Sequence, residues 1–194
     1  MNYRVLIAAT FAAAAVHAAD IDTKLPQPWF KNGPKPAIDE CVAGVDAQME
    51  GQGTPNMTLR CDATVDGFVG VMQMFGAEDY RGKRVRFSAL VKSEGIEGWA
   101  GLWMRVDKGR ESVAFDNMQD RPVKGTQDWT RYSVVLDVSE DADGIFFGTL
   151  TSGKGQLWIS KLSFEEVGTD VPVTGSGPSR RKPESKPLNL ELSR

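Results

Sequence analysis

Two tryptophans, an arginine and an aspartate fall within one short stretch of the chain, GWAGLWMRVD (residues 98–107). The side chains of a β-strand alternate between its two faces, so Trp99, Trp103 and Arg105 would share one face. Flat indole rings can cover the apolar C–H surface of a ring-shaped polar molecule, and a guanidinium group donates directed hydrogen bonds. The stretch therefore predicts a surface that binds a polar ligand.

The opposite face of this stretch is apolar. Because burying unpaired charge is costly, the face that carries Arg105 and Asp107 should not be the core face. We expect the tryptophans to point outward, with Gly101 leaving a shallow gap between them. The alternative is that the rings pack under a second sheet or a loop and serve only the structure. The expected core residues are Gly98, Ala100, Leu102, Met104 and Val106.

Polar residues near this strand are further candidate ligand contacts. The segment 116–128 (DNMQDRPVKGTQD) shows no strand or helix pattern, and long loops are often functional. A solvated turn held by side-chain to backbone hydrogen bonds is the alternative. Gln73, an amide in the apolar run GVMQMF, either reaches the tryptophan face or makes one buried hydrogen bond. The candidates from the loop are Asp116, Asn117, Gln119 and Arg121.

The remaining tryptophans and methionines are expected to be core residues. Trp129 and Trp158 stand at the starts of two apolar runs. Methionines fill gaps in cores well, so the three in the strand-like runs, Met72, Met74 and Met104, predict packing and not a metal site.

Short apolar runs separated by turn residues extend over residues 41–167, with almost no helical periodicity. This pattern predicts an all-β fold, an antiparallel β-sandwich of a single domain. The runs are CVAGVD, NMTLRC, GFVGVMQMF, RVRFSALVK, GWAGLWMRVD, ESVAFD, WTRYSVVLDV, GIFFGTLT and QLWISKLSF.

Two blocks carry a family likeness. The span 128–167, DWTRYSVVLDVSEDADGIFFGTLTSGKGQLWISKLSFEEV, resembles the closing strands of carbohydrate-binding-module and galactose-binding-like jelly rolls. The run YRGKRVRFSALVKSEGIEGWAGLWMRVD with AFDNMQDRPVKGTQDW is similar to an uncharacterised bacterial accessory domain found in proteins labelled as AraC-type or other transcriptional regulators. The likeness implies a jelly roll. Where sugar-binding relatives often place an acidic residue on the final strand, this chain has Ser160.

The ends of the chain differ in composition from its centre. Arg4, the apolar run 5–16 and the small residues up to Ala19 predict a secretory signal peptide of residues 1–18, cleaved near Ala18 or Ala19. Residues 19–40, rich in Pro, Lys and Gly, predict an extended lead-in. Residues 168–194, dense in Pro, Gly, Ser and charge, predict a disordered tail. We therefore expect a periplasmic or secreted protein without membrane insertion.

Cysteine and histidine usage narrows the chemistry. The chain has two cysteines, Cys41 and Cys61, and an oxidising compartment favours their pairing as a disulfide. The single histidine, His17, lies in the predicted signal peptide. Histidine-based triads, dyads and zinc sites are therefore excluded from the mature chain.

Charge and composition restrict the partners. The formal net charge is −3, and no basic face for nucleic acid is evident. No cofactor or metal ligand set is predicted, and a structural calcium ion has no clear motif to support it. We expect a non-catalytic module that binds a carbohydrate or a small polar ligand. Two alternatives stay open: a periplasmic protein–protein interaction domain, and a glycan hydrolase or lyase that uses a carboxylate pair.

Overall fold

The computed structural model describes residues 21–49 and 55–175 of the 194-residue chain. Within these ranges the regular structure is nearly all β, apart from one four-residue α-helix (α1, Ala37–Glu40) and a single 3-10 turn (Glu78–Tyr80). Accordingly, none of the helices in this part of the chain could cross a bilayer. The predicted signal peptide (1–18) and the predicted tail beyond residue 175 lie outside the described residues.

Ten strands form one continuous sheet, and every strand pairing is antiparallel. This confirms the predicted all-β antiparallel class. The strands are β1 (Ile21–Asp22), β2 (Phe30–Asn32), β3 (Cys41–Asp46), β4 (Asn56–Cys61), β5 (Val69–Gly76), β6 (Arg84–Lys108), β7 (Glu111–Asp116), β8 (Val123–Asp137), β9 (Gly144–Ser152) and β10 (Gly155–Val167).

Strand β6 joins the two layers of the fold. The sequence predicts two separate strands here, but they form one strand of 25 residues. Its first half pairs with β8 and β10 in the first layer, which continues to β4, β3 and β1. Its second half, from Trp99 onward, pairs with β9 and β7 in the second layer, which continues to β5 and β2. Gly95 has a φ of +59° at the junction, and register shifts on either side of it bend the strand. The sheet therefore curls into a sandwich.

The core lies between the two layers. The ring of Phe87 on β6 lies 4.8 Å from that of Phe147 on β9, and Phe164 on β10 lies 5.3 Å from Phe75 on β5. The apolar face expected for β6 is part of this core. Its members Ala100, Leu102, Met104 and Val106 are all fully buried.

Of the residues predicted for the core, Trp158 is buried as expected, whereas Trp129 and Met74 need correction. Trp158 is buried, and its Nε1 donates a hydrogen bond to the buried Asp46 carboxylate at 2.9 Å. Trp129, in contrast, is only half-buried on β8. Met74 lies on the same face of β5 as the buried Met72. It is 56% exposed, because burial decreases toward the end of this strand.

The disulfide prediction is confirmed. Cys41 and Cys61 are bonded, and they are direct partners in the β3–β4 pairing. The bond connects residues 20 positions apart in the sequence. In the chain-entropy account, closing a loop of this size contributes about 3 kcal/mol to folding.

The segments that flank the sandwich are attached to it. Residues 21–40, which the sequence presents as an extended lead-in, supply β1, β2 and α1, and Trp29 packs edge-on against Phe147 at 5.5 Å. At the other end, residues 168–175 form what we call the C-terminal strap. Hydrogen bonds from Arg84 to the carbonyl groups of Thr169 and Val171 hold it. This part of the predicted disordered tail is therefore folded.

Candidate functional site

The outward side chains of β6 line a groove on the face opposite the core. Trp99, Trp103 and Arg105, which alternation places on one face, all take part in it. The groove has a volume of about 290 Å³. Its complete lining is Asn32, Phe68, Trp99, Trp103, Arg105, Phe115, Asn117 and Leu150.

Strand register explains how the groove is assembled. Residues that are direct partners on neighbouring strands point to the same face. Trp103 is aligned with Gly148 on β9, and Gly148 with Met72 on β5. The row that begins at Arg105 continues to Phe146 and ends at Met74. The groove face is therefore built from successive rows that run across the second layer.

The groove floor is a small apolar cluster, separate from the main core. Trp103, Met72 and Leu150 form it, each 6% exposed, and Trp99, Phe115 and Phe146 pack against it. Trp103 is therefore both a structural residue and the floor of the groove. Trp99 is half-buried and forms a wall.

Large apolar side chains are also exposed at the rim. Phe68 is 41% exposed and lines the groove, and Phe30 is 40% exposed and is aligned with Met72 across the β2–β5 pairing. Several exposed aromatic groups around one cavity are typical of a binding surface.

Two buried polar atoms in the groove lining lack partners. Among the described residues, neither Nε1 of Trp103 nor Oδ1 of Asn32 has a hydrogen-bond partner. Buried polar groups are satisfied in the large majority of cases, since an unmet donor or acceptor costs about 1–3 kcal/mol. One of the two atoms donates and the other accepts, and these are the two functions that a hydroxyl group can satisfy.

Arg105 is held in place at the end of the groove. Its guanidinium carbon lies 4.5 Å from the centre of the Phe146 ring, and its Nη2 donates to Asp107 Oδ2 at 2.8 Å. The charge of Arg105 is therefore largely balanced within the chain. Its remaining N–H groups are directed donors beside the groove.

The loop that supplies Asn117 is shorter than predicted, because β8 begins at Val123. Asp116 fixes this loop: its Oδ1 accepts from the backbone N–H of Met118 at 2.8 Å, and its carboxylate pairs with Arg121. Burial opposes the charge on Arg121, but the hydrogen bonds and ion pairs with Asp116 and Asp120 together raise its pKa. Asp116 and Arg121 thus bind each other and do not line the groove, contrary to the prediction.

The gap expected at Gly101 is filled by this loop. A side-chain carbon placed on Gly101 would lie 3.0 Å from Cβ of Met118 and 3.5 Å from the carbonyl oxygen of Asn117. The sulfur of Met118 also accepts the backbone N–H of Leu102 at 3.3 Å. The absence of a side chain at position 101 therefore lets the loop approach β6 closely.

Gln73 and Gln119, the other two predicted contacts, both lie outside the groove. Gln73 is aligned with Phe147, a core residue, so it lies on the face opposite the tryptophans. The prediction that Gln73 belongs to their surface is wrong. Gln119 does not line the groove but a neighbouring cavity, which shares Phe115 and Asn117 with it.

Four residues of the groove were not predicted from sequence: Asn32, Phe68, Phe115 and Leu150. Asn32 comes from the lead-in and enters the site because β2 pairs with β5. Phe115 is the outward residue of β7, and its alternation with the buried Ala114 was a usable signal. The described residues contain no group of three or more acidic, cysteine or histidine side chains that could hold a metal ion.

No family model matches the chain. The chain is 41% identical over 149 residues to the protein named "Uncharacterized HTH-type transcriptional regulator YbfP" of Bacillus subtilis (strain 168). That match covers 75% of this chain and 50% of the relative, so the chain spans about half the length of the curated relative it matches. The relative bears the regulator label that the sequence suggested.

Solved structures share the fold at low sequence identity. The CBM22-1 xylan-binding domain from Paenibacillus barcinonensis Xyn10C superposes with a TM-score of 0.53 at 15% identity, covering 77% of this chain and 96% of that domain. The CBM22-1–GH10 modules of Clostridium thermocellum Xyn10B, in complex with xylohexaose, give 0.51 at 17% identity over 80% of this chain and 29% of that one.

A cyclase also has this fold. The Stig cyclase Fisc from Fischerella sp. TAU gives a TM-score of 0.54 at 12% identity, covering 77% of this chain and 88% of that one. The predicted likeness to carbohydrate-binding jelly rolls is confirmed at the level of the fold. Since one fold carries both binding modules and an enzyme, function has to be inferred from the groove.

Proposed function

We propose that the chain is a non-catalytic binding module whose groove takes a carbohydrate or a similar polar ligand. The observation that carries this proposal is the pair of orphaned buried atoms, Nε1 of Trp103 and Oδ1 of Asn32. A ligand hydroxyl accepts from an indole N–H and donates to an amide oxygen, so a molecule rich in hydroxyl groups suits both.

The aromatic lining supplies the apolar part of the interaction. A sugar ring has a C–H face that can stack on a half-buried indole such as Trp99, and this removes apolar surface from water. Phe68 and Phe115 extend the same surface along the groove. Polar groups at the two ends, Asn32 and Arg105, would then set the orientation of the ligand.

The chemistry of the lining favours binding over turnover. Glycoside hydrolysis requires two carboxyl groups on either side of the scissile bond. Among the described residues, none that lines the groove is acidic. The nearby Asp107 and Asp116 are engaged by Arg105 and Arg121, respectively.

The relatives support the same interpretation. The fold is shared with one domain described as xylan-binding and with the CBM22-1–GH10 modules of a xylanase, which were solved in complex with xylohexaose. An alignment of 149 residues in a chain of 194 must include most of the β-sandwich, whose described residues contain no pair of DNA-binding helices. In the longer relative, the shared half would then recognise a ligand, which is a role that a regulator requires.

We also propose that the protein works outside the cytoplasm, in the periplasm or as a secreted protein. The Cys41–Cys61 disulfide supports this location, since such bonds persist in oxidising compartments. The predicted signal peptide would direct the export.

The experiment is a titration of the mature chain against a panel of soluble oligosaccharides built from xylose, glucose, mannose, galactose or arabinose. Binding is followed by intrinsic tryptophan fluorescence and calorimetry. We expect Trp99→Ala to weaken binding about tenfold or more, the usual cost of removing a buried aromatic contact. The control is Trp129→Ala, a half-buried tryptophan on the other layer, which should leave the affinity unchanged.

Three results would overturn this proposal. Absence of binding to every saccharide, with the fold intact, would favour the protein–protein alternative for the aromatic groove. Equal losses of affinity in Trp99→Ala and Trp129→Ala would show that the groove is not where the sugar binds. Release of shortened products during the titration would instead support the glycan-active alternative.

A further inference from the structure

A second cavity adjoins the groove beyond Asn117. Its volume is about 290 Å³, equal to that of the groove, and both share Phe115 and Asn117 as wall residues. Its lining is more polar than that of the groove. The complete lining is Phe115, Asp116, Asn117, Gln119, Asp120, Thr174 and Gly175.

The C-terminal strap forms one wall of this second cavity. The backbone N–H of Thr174 donates to the carbonyl oxygen of Val135 on β8 at 3.0 Å. The Thr174 hydroxyl accepts from the Val135 N–H at 2.8 Å and donates to the Asp116 carboxylate. Thus Asp116 holds both the loop that carries Asn117 and the strap.

Arg84 anchors the other end of the strap. Its guanidinium group makes two bonds to the Asp137 carboxylate, at 2.9 and 3.1 Å, and its Nη1 donates to the carbonyl oxygen of Thr169 at 2.9 Å. The side chains of this ion pair are only 10% and 16% exposed. A paired and largely buried guanidinium is a rigid anchor, so the strap keeps a fixed path.

The end of the strap lies very close to β7. A side-chain carbon placed on Gly175 would lie 2.4 Å from the carbonyl oxygen of Phe115 and 2.6 Å from Cβ of Asp116. Any residue with a side chain at this position would push the strap away from the cavity.

We propose that the ligand site continues from the groove into this second cavity, so that the strap is part of the binding site and the ligand is an extended oligosaccharide. This inference rests on the proposed carbohydrate-binding function. The aromatic groove would take the first sugar rings by stacking. The second cavity would take further units by hydrogen bonds from their hydroxyl groups.

The second cavity selects the chemistry of those further units. Amide and carboxylate groups of Asn117, Gln119 and Asp120 are the polar side chains that line it toward solvent. Asp116 and Asp120 share one cationic partner, Arg121, so this wall keeps a negative charge, which accepts hydrogen bonds from hydroxyl groups and repels a further carboxylate. The geometry therefore points to neutral sugar units here, and not to uronic acids.

The test uses the mature chain and the panel of oligosaccharides named above, each supplied as a series from disaccharide to hexasaccharide. In the wild type, affinity for the recognised sugar should rise about tenfold or more from the shortest to the longest member. Gln119→Ala and Gly175→Val should abolish this rise and keep the affinity for the shortest member that binds. The control is Gln48→Ala. Gln48 is an exposed glutamine whose backbone N–H donates to the side chain of Asp46, two residues earlier, just as the backbone N–H of Gln119 donates to the side chain of Asn117.

The outcomes separate this inference from the proposed function. A rise with length that disappears in both variants, but not in the control, supports the extended site. Equal affinity for all lengths, or a rise that persists in both variants, would overturn the extended site alone. Failure of every saccharide to bind would overturn both proposals. The longest member that binds is also compared with an oligosaccharide of equal length that carries uronic acid units, and tighter binding of the uronic acid form would overturn the preference for neutral units.

Discussion

The guanidinium group of Arg105 lies over the ring of Phe146, its neighbour across the β6–β9 pairing, with 4.5 Å between the guanidinium carbon and the ring centre. The same group makes two hydrogen bonds to Asp107, at 2.8 and 3.1 Å. This arrangement needs a planar cation that can stack and donate at the same time.

Arg105→Lys tests this requirement. Lysine keeps the charge but loses the planar fork, so we expect the free energy of unfolding to fall by about 1 kcal/mol or less, since the arginine side chain is 38% exposed and screened by solvent. Urea denaturation measures the change. The matched control is Arg110→Lys, at an exposed position after β6, which should be neutral. An equally neutral Arg105→Lys would show that the stacking contributes nothing.

The same substitution should have a small effect on stability at Trp103 and a large one at Trp158. Trp103→Phe removes an indole N–H that is buried and unpartnered among the described residues. Removing this unmet donor offsets the loss of buried apolar area, so the melting temperature should change by only a few degrees. Trp158→Phe leaves Oδ2 of the buried Asp46 without its donor, although Oδ1 keeps the backbone N–H groups of Gln48 and Met49, and it should destabilise the fold by about 2–3 kcal/mol.

Ligand binding provides the second half of this comparison. If the N–H of Trp103 meets a ligand hydroxyl, Trp103→Phe should weaken saccharide binding about fivefold, near the value of one hydrogen bond. Calorimetry on Trp103→Phe and thermal melts of both variants are the measurements. A strongly destabilised Trp103→Phe with unchanged affinity would mean that its N–H serves the fold and not the ligand.

The sequence predicted the site along one strand better than across the sheet. Alternation on β6 is a local property with a period of two residues, so it placed Trp99, Trp103 and Arg105 together correctly. Gln73 was misplaced because its face depends on how β5 aligns with β9, and a shift of one residue reverses the faces. Asn32 was missed for a related reason, since β2 joins the site only through a distant strand.

The difference between local patterns and contacts between distant residues also explains the outcome for the loop and the strap. The antiparallel β-sandwich class followed from the spacing of apolar runs and turns, and the family likeness of residues 128–167 implied the jelly roll. The polar composition of 168–194 predicted disorder, yet Thr174 is held by partners that are far away in sequence, Asp116 and Val135. Composition does not reveal such partners. Asp116 and Arg121 were predicted from their residue types to contact a ligand, but each is the partner of the other.

The disulfide should stabilise the fold without affecting the groove. It connects β3 and β4 in the first layer, whereas the groove belongs to the second layer. We expect replacement of both Cys41 and Cys61 by serine to lower the free energy of unfolding by about 3 kcal/mol, or roughly 6–12 °C in melting temperature. Calorimetric melts and saccharide titrations at low temperature measure the two effects. A loss of affinity in the folded variant would contradict the separation of the layers.

Saccharide affinity and stability should both be constant between about pH 5 and pH 8. Among the described residues, those that line the groove include no carboxylate and no histidine, the side chain that most often changes its charge in this range. Elsewhere, the backbone N–H of Trp129 and then Lys92 lower the pKa of Asp128, and hydrogen bonds from Lys108 and then Ser139 lower that of Asp141.

The sign of these shifts places the pH dependence outside that window. A carboxylate with a lowered folded pKa stabilises the fold above its unfolded value, here 3.8, and this contribution is lost as the pH falls through the folded value. The pKa of Lys108 is raised by its hydrogen bond to Asp141, so that contribution is present below 10.5 and lost as the pH rises through the folded value. Titrations and melts at about pH 5, 6.5 and 8 test the plateau. For the shortest saccharide, which the groove alone would hold, a change in affinity of more than about threefold across the plateau would require an ionisable group outside the groove lining.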